Sequence, residues 1–364
     1  MLVCAKCRRH YSEDRTHYLC ACGSVMLVHR GYRQPKHHGE GLRKFKEVLP
    51  VRRQLVTLGE GSTPLHHAER LGGELGMRHL YIKFEGSNPS GSFKDRGTCV
   101  VITKALEFRA QGVVVASTGN MAASVAAYAA EASLPCKVFV PEKTPHAKLS
   151  QALAYGAKIY KVSGGFDDCV RRAKMESRHG WYIAMTGLNP YYIEGEKTIA
   201  YELAHLQPDW VIIPGGTGGL TTAVWKGFKE QKLAPKIAIV QSEGCAPIVD
   251  AFEHGDLDAK PLKEAQTISS AVLVKTPFNA RTALRAVRES HGTAVRVSDI
   301  ETVKAIRTIG EEGFFAEPAA AMPLPALQKL LKVGVIKKTE KVVLLVTGHG
   351  LKSPEAVSAL GQKF

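Results

Sequence analysis

A lysine that opens a helix is chemically pointed. In Ser90-Gly91-Ser92-Phe93-Lys94-Asp95-Arg96-Gly97, a glycine–serine turn leads into a helical segment that runs to about residue 111. Lys94 therefore stands where the helix macrodipole disfavours a cation. That field lowers an amine's pKa, which favours nucleophilic attack on a carbonyl and Schiff-base chemistry. The plainer alternative is an exposed lysine at a helix N-terminus.

Three further turns could hold a ligand. Gly215-Gly216-Thr217-Gly218-Gly219-Leu220 follows an apolar strand and precedes a helix from about residue 221. Glycines let such a turn gather several N–H groups at the helix start, which suits a phosphate. The same glycines would also serve a simple tight turn. The spacing is neither a P-loop nor the G-x-G-x-x-G of dinucleotide folds. Ser117-Thr118-Gly119-Asn120 puts hydroxyls, an amide and N–H groups before an alanine-rich helix, as an N-cap or as a seat for a substrate carboxylate. Thr347, in Thr347-Gly348-His349-Gly350, ends another apolar strand with its hydroxyl able to donate or accept. Neither a G-x-S-x-G elbow nor an H-E-x-x-H zinc motif occurs.

The cysteines divide in two. Cys99, Cys136, Cys169 and Cys245 have apolar neighbours and read as buried thiols of a reducing compartment. Cys4 and Cys7 form a C-x2-C, and twelve residues later Cys20 and Cys22 form a C-x-C. Four thiolates so placed can close a tetrahedral zinc shell around a segment too short for its own core. Against this, Arg8 stands where a glycine usually eases the turn, so a ribbon of four free cysteines is the competing reading.

The elements that must position these turns have one texture. From about residue 55, short β-branched runs at 113–117, 136–141, 158–162, 210–214, 237–241 and 342–347 alternate with segments of helical period, such as 121–131, 166–178 and 221–231. Near-continuous apolar strands separated by helices imply parallel sheets covered on both faces, here two doubly wound open α/β sheets behind the cysteine ribbon. In such sheets ligands sit beyond the carboxyl ends of the strands, where these turns lie. The stretch 1–54 reads as ribbon and basic connector ahead of this α/β region. Residues 29–54 are polar, basic and weakly periodic, as a connector would be.

With 49 Lys and Arg against 34 Asp and Glu, the chain carries +15. Such a field is expected of a solvated basic face, or it attracts an anion, whether nucleic acid or a small anionic substrate. There is no apolar run long enough to span a membrane and no signal-peptide pattern at Met1, so a cytoplasmic location is expected.

The four turns, in their order, resemble fold type II pyridoxal-phosphate enzymes (the tryptophan synthase β superfamily), and within it the threonine synthase branch. The resemblance runs from Leu58 to about Pro354. It is carried by Glu60-Gly-Ser-Thr-Pro-Leu65, Lys83-Phe-Glu-Gly-Ser-Asn-Pro89, Gly91-Ser-Phe-Lys-Asp-Arg-Gly97, Ala116-Ser-Thr-Gly-Asn120, Asn189-Pro190, Ile193-Glu-Gly-Glu-Lys-Thr198, Trp225-Lys-Gly-Phe228, Glu317-Pro-Ala-Ala320 and Thr347-Gly-His-Gly350. The cysteine ribbon also looks like that of archaeal and bacterial threonine synthases.

The resemblance implies a large cofactor-binding domain of residues 55–93 and 190–364 with a smaller inserted α/β domain of 94–189, and pyridoxal 5'-phosphate as cofactor, with Lys94 as its Schiff-base lysine. Asn120 would bond the cofactor's phenolic oxygen, residues 215–220 would hold its phosphate, and Thr347 would meet the pyridine nitrogen. A neutral hydroxyl at that nitrogen favours elimination and replacement. Ser92, Ser117, Thr118, Gly119, Asn189 and Tyr192 would form the substrate side. Three departures bear on the substrate. Tyr192 stands where threonine synthases usually carry the arginine that binds the phosphate of phosphohomoserine. Thr217 and Leu220 replace two asparagines of their phosphate loop, and Met121 replaces a threonine. The expected activity is elimination or replacement on a small, anionic L-amino acid with a β or γ leaving group. The alternatives are a genuine threonine synthase, a cysteine- or cysteate-synthase-type β-replacement, or a dehydratase. Retained Lys94 and Asn120 argue against a degenerate fold acting on nucleic acid, and a homodimer is expected.

Overall fold

The computed structural model describes residues 1–31, 35 and 39–358. Of the connector read at 29–54, residues 32–34 and 36–38 lie outside the described residues. The fold is α/β, as the alternation of apolar strands and helices implies. It divides into two compact units, one of residues 1–62 and 88–198, the other of 63–87 and 199–364.

The first unit is built on four parallel strands in the order Lys158–Val162, Cys136–Pro141, Gly112–Ala116, Trp181–Ile183. Val113, Val114 and Val115 have no exposed surface, because helices cover both faces. Each such side chain contributes about 1.5–3 kcal/mol by its burial. The helices Lys94–Glu107 and Asn120–Glu131 pack on one another. The second is alanine-rich, and its small side chains let it lie close to its neighbours.

Ahead of this sheet, Leu2–Cys4 pairs with His10–Tyr11 on one side and Met26–Val28 on the other, all antiparallel. Residues 1–54 read from sequence as a region apart, yet here they cluster with 88–198, and polar ties show why. The Ile183 N–H donates to the Tyr18 hydroxyl at 2.9 Å, Arg53 N–H donates to Glu107 at 3.0 Å, and Lys197 Nζ donates to the Val48 carbonyl at 2.9 Å. Part of the connector is ordered as a 3-10 helix, Gly41–Val48, which buries Leu42, Phe45 and Val48. Their spacing of three is the repeat of a 3-10 helix rather than of an α-helix.

The second unit holds six strands in the order Thr293–Val297, Lys236–Ser242, Trp210–Pro214, Val342–Val346, Leu80–Phe84, Leu65–His67; only the last pairs antiparallel. Trp210–Pro214 and Val342–Val346 are buried along their whole length, matching their unbroken apolar runs. The sequence pattern does not single out Leu65–His67, Leu80–Phe84, Trp181–Ile183 or Thr293–Val297. Polar residues such as His66, His67, Lys83 and Arg296 interrupt three of them. Among the described residues, no helix is long and apolar enough to cross a membrane.

Candidate active site

In the first unit Lys94 is the first residue of the helix Lys94–Glu107. Its Nζ lies 4.0 Å from the centre of the Phe93 ring and 3.6 Å from Glu196 Oε1. The preceding turn is clamped by Asp95, whose carboxylate accepts from Ser90 N at 2.6 Å and Ser90 Oγ at 2.5 Å. Burial pushes the Asp95 carboxyl up to about 6, against the pull of its bonds from Ser124 and Ser90. Ser92 Oγ is buried and has no hydrogen-bond partner.

The turn 117–120 does not use its polar side chains as a cap. The N-cap is Gly119, which has no side chain to cap with, and Ser117 Oγ accepts from the Gly119 N–H at 3.3 Å. The N-cap residue itself thus supplies no side-chain acceptor of the kind serine or threonine would bring there. Of the two readings of this turn, the capping one is not what the structure adopts.

Asn189 and Tyr192 do something other than expected. Asn189 Nδ2 donates to the Ile183 carbonyl at 2.9 Å, while its Oδ1 accepts from Tyr191 N–H at 3.0 Å. Tyr192 has no exposed surface; its hydroxyl donates to the Ala184 carbonyl at 3.2 Å and lies 3.5 Å from Thr98 Oγ1. Both side chains bind the unit together where the resemblance implied substrate contacts. Burial raises the Tyr192 phenol well above its ordinary value.

In the second unit, Trp210–Pro214 turns through residues 215–218 into the helix Gly219–Glu230. Gly218 is left-handed, at φ 84°, and a Cβ there would stand 2.9 Å from both Ala283 Cβ and the Asn279 carbonyl. Gln241, which no local sequence pattern marks, clamps the turn: its Nε2 donates to the Gly215 carbonyl at 2.9 Å and its Oε1 accepts from Ile248 N–H at 2.8 Å. At the helix start Thr221 Oγ1 is buried without a hydrogen-bond partner. Thr347 is buried at the end of Val342–Val346. The turn after it is fixed by Glu317 N–H donating to the Gly348 carbonyl at 3.1 Å and Gly350 N–H donating to the Phe315 carbonyl at 2.7 Å.

A family model described as pyridoxal-phosphate dependent enzyme matches residues 56–348. The chain belongs to that family. It is 41% identical to a threonine synthase of Methanocaldococcus jannaschii, over 97% of this chain and 93% of that one. It is 39% identical to a threonine synthase of Methanosarcina acetivorans, over 98% and 93%. Among solved structures it shares its fold with threonine deaminase isoform 2 of Solanum lycopersicum, at a TM-score of 0.74 and 23% identity, covering 92% of this chain and 98% of that one. Maize serine racemase has a TM-score of 0.73 at 22% identity, over 82% and 92%. The chain is thus a fold type II enzyme of the threonine synthase family, a pyridoxal-phosphate-dependent lyase or synthase.

The residues of the enzyme fit that cofactor. A side chain at Gly218 has no room, an orphaned hydroxyl stands at Thr221, and the helix start beside it has N–H groups without intrahelical acceptors. This donor set matches a phosphate. Lys94, placed at its own helix start, matches an aldehyde.

The N-terminal ribbon brings its four cysteines together. Their sulfurs lie within 4.8 Å of one another, with Cys4–Cys22 and Cys7–Cys20 each at 3.5 Å. The N–H groups of Lys6 and Cys7 donate to Cys4 Sγ at 3.4 Å, and the Tyr11 hydroxyl donates to Cys20 Sγ at 3.2 Å. Arg8 takes the left-handed conformation, φ 63°, that a glycine would adopt without cost.

Proposed function

We propose that the enzyme catalyses elimination or replacement on a small L-amino acid with a leaving group at its β or γ carbon, and that it is not tuned to a phosphate leaving group. One observation carries the second clause. The position that usually supplies threonine synthases with a phosphate-binding arginine is Tyr192, which is fully buried and bonded to Ala184. A charge-assisted hydrogen bond that is removed and not replaced costs about 1.5–3 kcal/mol. Phosphohomoserine would then bind roughly ten- to a hundred-fold more weakly than it does to an enzyme with that arginine.

Pyridoxal phosphate, when bound, supplies the electron sink for negative charge at the substrate Cα. The chain's residues do the rest. Lys94 Nζ would attach the cofactor and carry the proton to and from Cα. The helix start at 117–120 would seat the substrate carboxylate, and Asn120 would bond the phenolic oxygen. Residues 215–220, together with the Thr221 hydroxyl, would hold the phosphate. The Thr347 hydroxyl would serve the pyridine nitrogen without charging it. Ser92 is available as a hydroxyl on the substrate side.

A genuine threonine synthase is the second reading, favoured by 41% identity to one over 97% of the chain. A panel of phosphohomoserine, phosphoserine, acetylserine, serine and threonine decides between them, with phosphate, acetate, ammonia and amino-acid products measured for each. Efficient formation of threonine from phosphohomoserine, and of nothing comparable from the others, would sink the first reading in favour of the second.

We further propose a structural zinc ion at Cys4, Cys7, Cys20 and Cys22. The expected sulfur–sulfur edge of a zinc tetrathiolate is about 3.8 Å, from a Zn–S bond of about 2.3 Å. The pairs at 3.5 Å lie close to that edge. Metal analysis of protein prepared without chelator should give one zinc per chain, and Cys4→Ser should lose it while keeping most of the activity. Metal-free wild-type protein of unchanged stability would refute the site.

A further inference from the structure

Glu196 is the last residue of the helix Tyr192–Glu196 and has no exposed surface. Its Oε1 lies 3.6 Å from Lys94 Nζ, whose side chain is 16% exposed. Two glycines bring it there. A Cβ on Gly195 would run into the carbonyl of Arg96, and one on Gly97 into the ring of Tyr192. The helix therefore packs backbone to backbone against the start of Lys94–Glu107, as only glycine allows. A buried carboxylate is costly unless an opposite charge or a proton compensates it. The structure sets Lys94 against this one.

The other titratable groups around this helix start have partners of their own. On the same helix Asp95 takes both Ser90 donors, and an Arg96 guanidinium N–H donates to Thr198 Oγ1 at 3.1 Å. On the facing helix Tyr192 is bonded to Ala184, and Glu194 pairs with Lys197, just past the helix end, at 2.8 Å. From Asn120–Glu131, the Tyr128 hydroxyl donates to Glu60 at 2.6 Å.

We propose that Glu196 is a positioning residue for Lys94. Its carboxylate holds the ammonium form of Nζ at the helix start, against the macrodipole, and so sets the pH at which Lys94 becomes an amine able to attack an aldehyde or act as a base. This inference deepens the reading of Lys94 given above and rests on it.

The test follows attachment rather than turnover. Cofactor-free full-length protein is mixed with pyridoxal phosphate across a pH series. The adduct is trapped with borohydride at short times, and the peptide carrying Lys94 is quantified. Removing the negative charge destabilises the ammonium, so the amine becomes reactive at lower pH. For E196Q the midpoint of the rate–pH curve should fall by at least about one unit, a tenfold gain in reactive amine below the midpoint. E196D keeps the charge but withdraws it by one methylene, and its midpoint should lie between those of wild type and E196Q. A merely structural role moves no midpoint. If E196Q does not fold, E196D carries the test, and any measurable fall supports the proposal. A label on Lys94 with an unmoved midpoint in the folded variant overturns the role of Glu196 alone; a label on another lysine overturns the reading of Lys94 with it.

Discussion

Two helix starts with the same sequence texture, 117–120 and 215–219, are built in opposite ways. Both follow a fully buried strand, and both contain glycine and a hydroxyl residue. At the first, the N-cap Gly119 lies outside the left-handed region, at φ −150° and ψ −133°, and a Cβ built on it would meet nothing within 4 Å. At the second, Gly218 is left-handed, and a Cβ would press on Asn279 and Ala283. Gln241 and Asn279 tie the second turn on both sides, since Asn279 N–H also donates to the Thr217 carbonyl at 2.9 Å. A crowded, fully braced turn suits a group that is always the same, such as a cofactor phosphate. An open turn suits a group that comes and goes, such as a substrate carboxylate.

The largest effect expected from breaking either side lies at the lysine that both would serve. Lys94→Ala should lose covalent attachment of the cofactor altogether and lower turnover by about 10²–10⁴-fold. Absorbance of the purified protein, with borohydride reduction and peptide mapping of the wild type, checks this. A variant that retains the cofactor's bound absorbance would refute it.

The comparison itself is tested by a pair of alanines. Gly218→Ala must place a Cβ both in the left-handed region and against two neighbours, so cofactor affinity should drop by at least about tenfold, with a stability cost of roughly 1–2 kcal/mol. Gly119→Ala finds open space and no left-handed φ, so cofactor affinity should hold while KM for the amino acid rises. Equilibrium titration with pyridoxal phosphate and steady-state kinetics on both variants separate the two. Equal loss of cofactor affinity in each would remove the distinction.

Much of this is legible in sequence because strand and helix alternation fixes where strands end, and chemistry in open parallel sheets collects there. The strands at 113–117, 210–214 and 342–347 appear within a residue of where their apolar runs put them. What is not legible is the partner of each polar side chain. Asn189 and Tyr192 carry a motif residue's identity but spend their polar groups on Ile183, Tyr191 and Ala184, pairings that only the folded chain decides. Gln241 and Glu196 escape a sequence reading for the complementary reason. Gln241 stands at the polar end of an apolar run, and Glu196 is one of two glutamates in a charged stretch whose burial no local pattern reveals. The signal for Glu196 lies in Gly195, a glycine inside a helical segment, which marks a close backbone approach.

A smaller effect concerns the clamp of the Lys94 turn. Asp95 is raised to about 6 from an ordinary 3.8 by burial. The folded protein therefore holds this proton more tightly than the unfolded chain. The stabilisation from protonation is full below the unfolded value and is lost as pH rises from about 4 to about 6. A shift of this size corresponds to a few kcal/mol, on the order of 2–3. Denaturation of wild type and Asp95→Asn across this window should show the wild type losing stability relative to the variant as pH rises. Parallel curves would refute the assignment.

The smallest effect is expected where the resemblance alone would have placed a large one. If the Tyr192 hydroxyl bound substrate, its removal would raise KM. In the structure that hydroxyl donates to Ala184, and the ring fills the space left by Gly97. Tyr192→Phe keeps the ring and removes the donor, leaving a buried carbonyl short of one bond at a cost of about 1–2 kcal/mol in stability. KM and kcat should stay within about twofold, a difference of less than about half a kcal/mol. Thermal denaturation and steady-state kinetics on the same preparation decide the matter. A destabilised variant with unchanged KM places Tyr192 in the packing of the unit, whereas a stable variant with a raised KM returns it to the substrate.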